Sequence, residues 1–253
     1  MRSRFVAVAL CLPVSAMATL CADMPPAMAE DMSVDVELAL AVDVSGSVDE
    51  EEARLQREGY IAAITDPEVL DAIRGGTIGR IAVAYFEWSG DSYQRVVASW
   101  TLIQDEQSAG TFASTLAEAP YVTGRWTSLS GGIDFAATLM EGNGYEGLRR
   151  VIDVSGDGYN NSGRPVTMAR DDAVARGITI NGLPILNDRP NPWGGQPPMD
   201  LDKYFEENVI GGPGAFIVPA RDFRDFGRAI RAKLIREIAN LVRTPAPHLA
   251  QAP

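Results

Sequence analysis

Five side chains in three short segments have the types and spacing to do chemistry. Asp43, Ser45 and Ser47 stand in Asp43-Val44-Ser45-Gly46-Ser47, Thr127 in Gly124-Arg125-Trp126-Thr127-Ser128, and Asp157 in Ser155-Gly156-Asp157-Gly158. All five are hard oxygen donors. Such a set suits Mg²⁺ or Mn²⁺, with Ca²⁺ as the alternative, and suits Zn²⁺ poorly. The hydroxyls matter because they are neutral: they bind an ion without cancelling its charge. Two carboxylates then leave the ion electrophilic enough to accept an acidic ligand from outside. If the three segments do not converge, their roles are local. Asp43 and Ser45 would cap a helix, and Asp157 would make a turn.

Other chemistries lack their residues. The only histidine, His248, lies in a Pro-rich tail, so a Ser-His-Asp or Cys-His mechanism has no base in the folded domain. The only lysines, Lys203 and Lys233, fall in predicted helices far in sequence from the serine loops. No Gly-x-Ser-x-Gly elbow and no Walker loop occurs. The expectation is a binding protein and not an enzyme. The alternative is a metal-dependent phosphohydrolase with Asp43 as phosphoryl acceptor, but that reading wants a second acid where Ser45 stands. A third reading gives the ion a purely structural role.

These residues need a scaffold of alternating strands and helices. Val36–Val42 reads as a largely buried strand. Asp49–Glu52 then puts four acids in the first turn of a helix that runs to about Ile64, where the helix dipole favours them. A short helix over Pro67–Ile73 follows. Strands are expected at Ile81–Phe86 and Tyr93–Thr101, joined as a hairpin through Ser89-Gly90-Asp91. Helices are expected at Gln107–Ala119 and from Gly132 to Met140, and a strand at Arg150–Val154. A helix over Thr167–Arg176 and a strand over Ile178–Ile185 come next, then an irregular loop from Asn187 to Pro198. A short helix at Leu201–Asn208 and a last strand at Ala215–Val218 complete the series. The final helix starts near Arg221, with Phe223, Phe226, Ile230, Leu234, Ile238 and Leu241 in one apolar stripe and Arg224, Arg228, Arg231 and Arg236 on a solvated face. The alternation predicts an α/β fold: a Rossmann-like, doubly wound, mostly parallel sheet with one antiparallel edge strand and helices on both faces. Ligands of such sheets bind beyond the carboxyl ends of the strands, where Asp43, Thr127 and Asp157 all fall.

At these residues the chain resembles the von Willebrand factor type A (VWA) domain family, over about residues 34–242. That family carries a metal-ion-dependent adhesion site (MIDAS) with the pattern Asp-x-Ser-x-Ser, a distant Thr and a later Asp. Asp43, Ser45 and Ser47 match the first part. Thr127 matches the second, with Gly132 and Ile133 following at the expected offsets, and Asp157 matches the third. The resemblance implies that Ser45, Ser47 and Thr127 touch the metal directly, and that Asp43 and Asp157 act largely through water. The sixth position would go to a Glu or Asp of a partner protein. One departure stands out: Gly156 occupies the place where the family usually has Thr. With the run Ser155–Asn161 it points to an exported bacterial subgroup of unassigned function.

Asp153 lies inside a strand expected to be buried, and a hydrogen bond to a neighbouring loop is its expected role. Trp88, Trp126, Tyr159 and Trp193 fall in loops near the proposed edge, as a recognition rim or as anchors packed inward.

The chain has 253 residues, 46% of them hydrophobic, enough for one large domain or two small ones, and no second domain is read along it. Arg2 and Arg4, the apolar segment Phe5–Ala22 and Ala27-Met28-Ala29 follow the order of a secretory signal. Cleavage is expected after Ala29, with Ala16-Met17-Ala18 as a second site. The expected organisation is therefore a signal peptide at 1–29, a VWA-like domain at 30–243 and a disordered Pro-rich tail at 244–253, exported to the periplasm or secreted. Both cysteines, Cys11 and Cys21, fall in the leader, which leaves the mature chain without disulfides. The net charge of −12 argues against nucleic acid as a partner. Membrane contact is not expected once the leader is removed.

Overall fold

Strand β1 (Met32–Asp43) runs through the centre of the sheet and shows why the sequence folds this way. Val36, Leu38, Leu40 and Val42 point into one hydrophobic core, while Ala39 and Ala41 point into a second core on the opposite face. A strand apolar on both faces is the mark of a parallel sheet covered on both sides. The computed structural model describes residues 31–187 and 198–239. The expected leader, Trp193, Leu241, most of the Asn187–Pro198 loop and the Pro-rich tail lie outside the described residues.

The element order is β1, α1 (Glu50–Ile64), α2 (Pro67–Arg74), β2 (Ile81–Trp88), β3 (Gln94–Ile103), α3 (Glu106–Glu118), α4 (Leu129–Leu139), β4 (Tyr145–Gly156), α5 (Val166–Ala175), β5 (Ile178–Pro184), α6 (Leu201–Tyr204) and α7 (Phe226–Ala239). A π-helical turn, Phe205–Val209, continues α6. The sheet order is β3-β2-β1-β4-β5, with β3 antiparallel to β2 and the other pairs parallel. Helices α1, α2, α3 and α7 contribute to the core on one face, and α4, α5 and α6 to the core on the other. The expected doubly wound architecture with one antiparallel edge strand is the one observed.

Chain direction across the sheet reverses at β1. The chain leaves β1 towards β2 and β3, then returns through α4, on the other face, to pair β4 against the free side of β1. A crevice therefore opens between the carboxyl ends of β1 and β4, the switch point at which such sheets bind ligands.

Two expectations are corrected. Residues 215–218 form no strand; only isolated parallel bridges, Gly182 to Ile217 and Ile185 to Ala220, connect this segment to β5 and its end. Val218 N–H donates to the Gly182 carbonyl and Ala220 N–H to the Pro184 carbonyl, but Pro184 has no N–H to return to Val218, so a continuous ladder cannot form there. The last helix begins at Phe226 rather than near Arg221. Asp225 folds the preceding residues into a turn, accepting Arg221 N–H at 3.1 Å and donating its own N–H to Asp222 Oδ1 at 2.8 Å. The arginines of this segment are exposed, as expected, but most are engaged. Arg221 and Arg228 pair with Asp225, Arg231 pairs with Asp66, and the Arg236 guanidinium lies 3.7 Å from the Phe216 ring centre. Among the described residues no helix is long and apolar enough to cross a membrane.

Candidate metal centre

Asp43 is the last residue of β1, and β1 and β4 run in register with Val42 beside Ser155. Asp43 and the turn after Gly156 are thus neighbours by sheet geometry alone. Asp43 Oδ1 accepts the Ser45 N–H at 2.7 Å, an Asx turn that swings the chain out of the strand. Ser47 follows on the same turn, its Oγ 3.1 Å from Ser45 Oγ. The same Ser47 hydroxyl donates to Asp157 Oδ1 at 2.6 Å, bridging two segments 110 positions apart. Helix α1 then starts at a reciprocal cap: Glu52 N–H donates to Asp49 Oδ1 at 2.8 Å, and Asp49 N–H to Glu52 Oε2 at 3.0 Å. From inside α1, Gln56 Nε2 donates to the Asp43 carbonyl at 3.1 Å and fixes the turn from below.

Thr127 sits just before Ser128, the N-cap of α4, whose Oγ accepts Gly131 N–H at 3.1 Å. Thr127 is buried and flanks the Asp157 turn: a Cβ placed on Gly158 would lie 3.4 Å from Thr127 Oγ1. Asn161 clamps it from two sides, accepting Thr127 N–H on Oδ1 at 2.9 Å and donating its own N–H to the Thr127 carbonyl at 2.9 Å. Asn160 Oδ1 accepts Ser130 N–H at 3.0 Å, and the Asn160 N–H donates to the Tyr204 hydroxyl at 3.3 Å. The five residues singled out by type and spacing are therefore brought to one crevice. Sequence reasoning misses the roles of Asn160 and Asn161; two adjacent asparagines one residue beyond an Asp-Gly turn are the available signal.

Both carboxylates are buried, Asp43 fully and Asp157 at 5% exposure. Burial pushes the Asp43 carboxyl well above its ordinary range, and the neighbouring Asp157 charge pushes it further. Burial raises Asp157 as well, against the Ser47 hydrogen bond, which lowers it. Asp43 Oδ2 is buried without a hydrogen-bond partner. Among the described residues no group of three or more His, Cys, Asp or Glu side chains is arranged to hold a metal. Any ion here would rest on two carboxylates and hydroxyls, which is the donor set these residues present. An orphaned carboxylate oxygen facing a second buried carboxylate is the environment a divalent cation relieves.

Glycines allow the close approaches. A Cβ on Gly156 would come within 3.0 Å of Asp43 Oδ2 and 3.6 Å of Trp88 Cη2, so the position that differs from the usual VWA threonine is filled from the side. Gly124 is tighter: its N–H donates to the Val44 carbonyl at 2.6 Å, and an added Cβ would fall 1.9 Å from Ser89 Oγ. Ser89 is buried and cannot move aside freely. We expect Gly124→Ala to cost about 1–3 kcal/mol of stability through overpacking. It should also displace the segment leading to Thr127. A urea midpoint unchanged from wild type would refute this.

The aromatic residues divide. Trp88 ends β2 and is fully buried, an anchor beneath the crevice and not a loop residue. Trp126 is 59% exposed and Tyr159 41% exposed, the latter packed edge-on against Tyr204.

Comparison with known proteins agrees with this architecture. No curated protein sequence matches the chain. Among solved structures it is similar to the conserved hypothetical protein BatB from Bacteroides thetaiotaomicron, at 19% identity and a TM-score of 0.55 over 81% of this chain and 99% of that one. It is similar to proximal thread matrix protein 1 from the mussel byssus, solved with a zinc-occupied MIDAS motif, at 12% identity and a TM-score of 0.54 over 84% of this chain and 49% of that one. It is also similar to a von Willebrand factor type A protein from Catenulispora acidiphila, at 14% identity and a TM-score of 0.53 over 82% of this chain and 42% of that one. The chain spans about half the length of the mussel protein and less than half of the Catenulispora protein. These likenesses establish the fold. A family model described as "Protein of unknown function (DUF1194)" matches residues 33–242, and the chain belongs to that family, whose fold is VWA-like.

Proposed function

We propose that the chain is a metal-dependent protein-interaction domain and not an enzyme. Ser45, Ser47 and Thr127 hold Mg²⁺ or Mn²⁺ directly, and Asp43 and Asp157 act largely through water. When bound, the ion supplies an open, electrophilic position that an Asp or Glu of a protein partner completes. The observation that carries this reading is the buried Asp43–Asp157 pair, with Ser47 of the Asp43 turn donating to Asp157 and Asp43 Oδ2 unpartnered at the sheet's switch point. Exposed Trp126 and Tyr159 next to Thr127 and Asp157 give a partner apolar surface beside the ion. The charge balance argues against nucleic acid, and the Arg2–Ala29 segment is read as an export signal that places the domain in the periplasm or outside the cell.

Titration calorimetry on the EDTA-stripped chain tests the reading. Mg²⁺ and Mn²⁺ should each bind at one saturable site. Zn²⁺ belongs in the series, because the mussel protein's MIDAS motif is zinc-occupied. Asn161→Ala removes one side of the Thr127 clamp and should weaken metal binding about tenfold or more, the usual effect of losing a group that orients a ligand. Absence of binding at millimolar metal would overturn the proposal. Turnover of a generic phosphate ester would favour a phosphohydrolase, and metal binding without partner capture would favour a purely structural ion.

A further inference from the structure

A second charged cluster lies inside the interface between the sheet and α7. Lys233 of α7, Asp153 of β4 and Glu237, one turn further along α7, are all fully buried. Lys233 Nζ lies 2.6 Å from Asp153 Oδ1 and 2.6 Å from Glu237 Oε1. Asn181 of β5 donates from Nδ2 to Glu237 Oε1 at 2.8 Å, while its Oδ1 accepts Phe216 N–H at 3.1 Å. The Phe216 ring centre is 5.9 Å from Nζ. The expected partner of Asp153 was a loop; the structure gives it an amine on the last helix. That contact is close without being a directed hydrogen bond, since neither Asp153 oxygen has a hydrogen-bond partner. Burial pushes the Asp153 carboxyl up to about 7, with the Lys233 charge opposing the rise.

Charges this deep are costly unless they are held at close range, and here the amine sits between two buried carboxyl groups. A lysine amine that gives up its proton is a nucleophile, and the Asp153 carboxyl carbon is the electrophile it meets here. Packing makes their encounter intramolecular, with an effective concentration that reaches on the order of 10⁵ M in well-oriented pairs. Glu237 touches the same amine and is placed to carry a proton.

We propose that Lys233 and Asp153 condense to an intramolecular isopeptide bond. One proton passes from Lys233 Nζ to Asp153 Oδ1, and the freed Nζ electron pair forms a bond to Asp153 Cγ. The Glu237 carboxylate takes one proton from the nitrogen and delivers it to the Asp153 hydroxyl. The Cγ–O bond breaks and one water leaves. Nothing is oxidised or reduced, and no co-reactant is required. Asn181 is a positioning residue, holding Glu237 against the amine. The product ties α7 covalently to β4 and does not depend on the metal reading.

Denaturing intact-mass measurement with a tryptic peptide map of the full chain tests the bond, any leader removal being read from the N-terminal peptide. The expected mass is one water below the sequence value, with a branched peptide joining the segment of Asp153 to that of Lys233. Lys233→Arg keeps a buried cation but should restore the full sequence mass, and Glu237→Gln should leave most of the chain unlinked. The wild-type measurement stands alone if either variant fails to fold. Unlinked peptides with unmodified Lys233 and Asp153 would overturn the proposal. So would loss of one ammonia with a branch to Asn181.

Discussion

Asp43→Asn is expected to abolish stabilisation by divalent ions while raising the melting temperature of the ion-free protein. In the ion-free chain Asp43 and Asp157 oppose each other in a buried site, and among the described residues neither carboxyl forms a salt bridge. Asparagine keeps an oxygen for the Ser45 N–H and removes the charge. With wild type, Mg²⁺ at a hundredfold excess over Kd should add about 2.7 kcal/mol. For a domain of this size that is roughly 5–10 °C in Tm. The variant should show none of it. A pH series separates the causes. A carboxyl raised above its ordinary value of 3.8 binds its proton more tightly in the folded chain than in the unfolded one. The ion-free wild type therefore loses stability as pH climbs from that value towards the raised one, and the asparagine variant should have a shallower slope. Added ion should reverse the wild-type trend, because it binds the deprotonated site. If the variant melted lower than wild type in EDTA, the electrostatic account of the site would be wrong.

The second large effect is expected at Glu87, a buried carboxylate of β2 between two guanidiniums. It pairs with the buried Arg57, and its Oε2 lies 2.6 Å from Arg95 Nη2. Those arginines also hold the chain that leads towards Thr127. Arg57 Nη1 donates to the Ala119 carbonyl at 2.5 Å, and Arg95 Nη2 to the Pro120 carbonyl at 2.8 Å. The Arg57 guanidinium lies 4.1 Å from the Tyr121 ring centre. Glu87→Gln leaves a buried guanidinium without its counter-charge, a loss of about 3–5 kcal/mol. The urea midpoint should fall accordingly. Metal affinity should fall too, since the 119–121 segment loses its anchor. An exposed pair makes the contrast: Glu58→Gln removes the Arg54 bridge on the surface of α1 and should leave the midpoint nearly unchanged. Equal effects at the two positions would count against burial as the cause.

Much of the scaffold was legible in the sequence because each element carries a local reason for its form. The alternation of Val36, Leu38, Leu40 and Val42 with small alanines identifies a central strand, and the acids after Asp49 identify the start of α1. The convergence of Asp43, Ser47 and Asp157 was legible only because a strand end fixes where the next residue goes. What escaped was long-range polar pairing. Lys233 looked like one more cation on a helix, since its spacing says nothing about the Asp153 and Glu237 that enclose it. Trp88 looked like a loop residue because β2 runs two residues past the apolar stretch that announces it. The bridges at Ile217 and Ala220 stay isolated because Pro184 of β5 lacks the N–H that would join them into a ladder.

The order of strands also sets a timetable. β1 is made first but lies at the centre of the sheet, and one of its two flanks stays open until β4 arrives. Ser47 and Asp157, the two ends of the bridge across the crevice, are 110 positions apart. Contacts of that separation form late and slow the search for the native state. No fragment that ends before β4 can own both halves of the proposed cation pocket. Metal uptake, followed in time after dilution from denaturant, therefore becomes a clock for the last step of assembly: the ion should arrive with the final closure of the sheet and not before it.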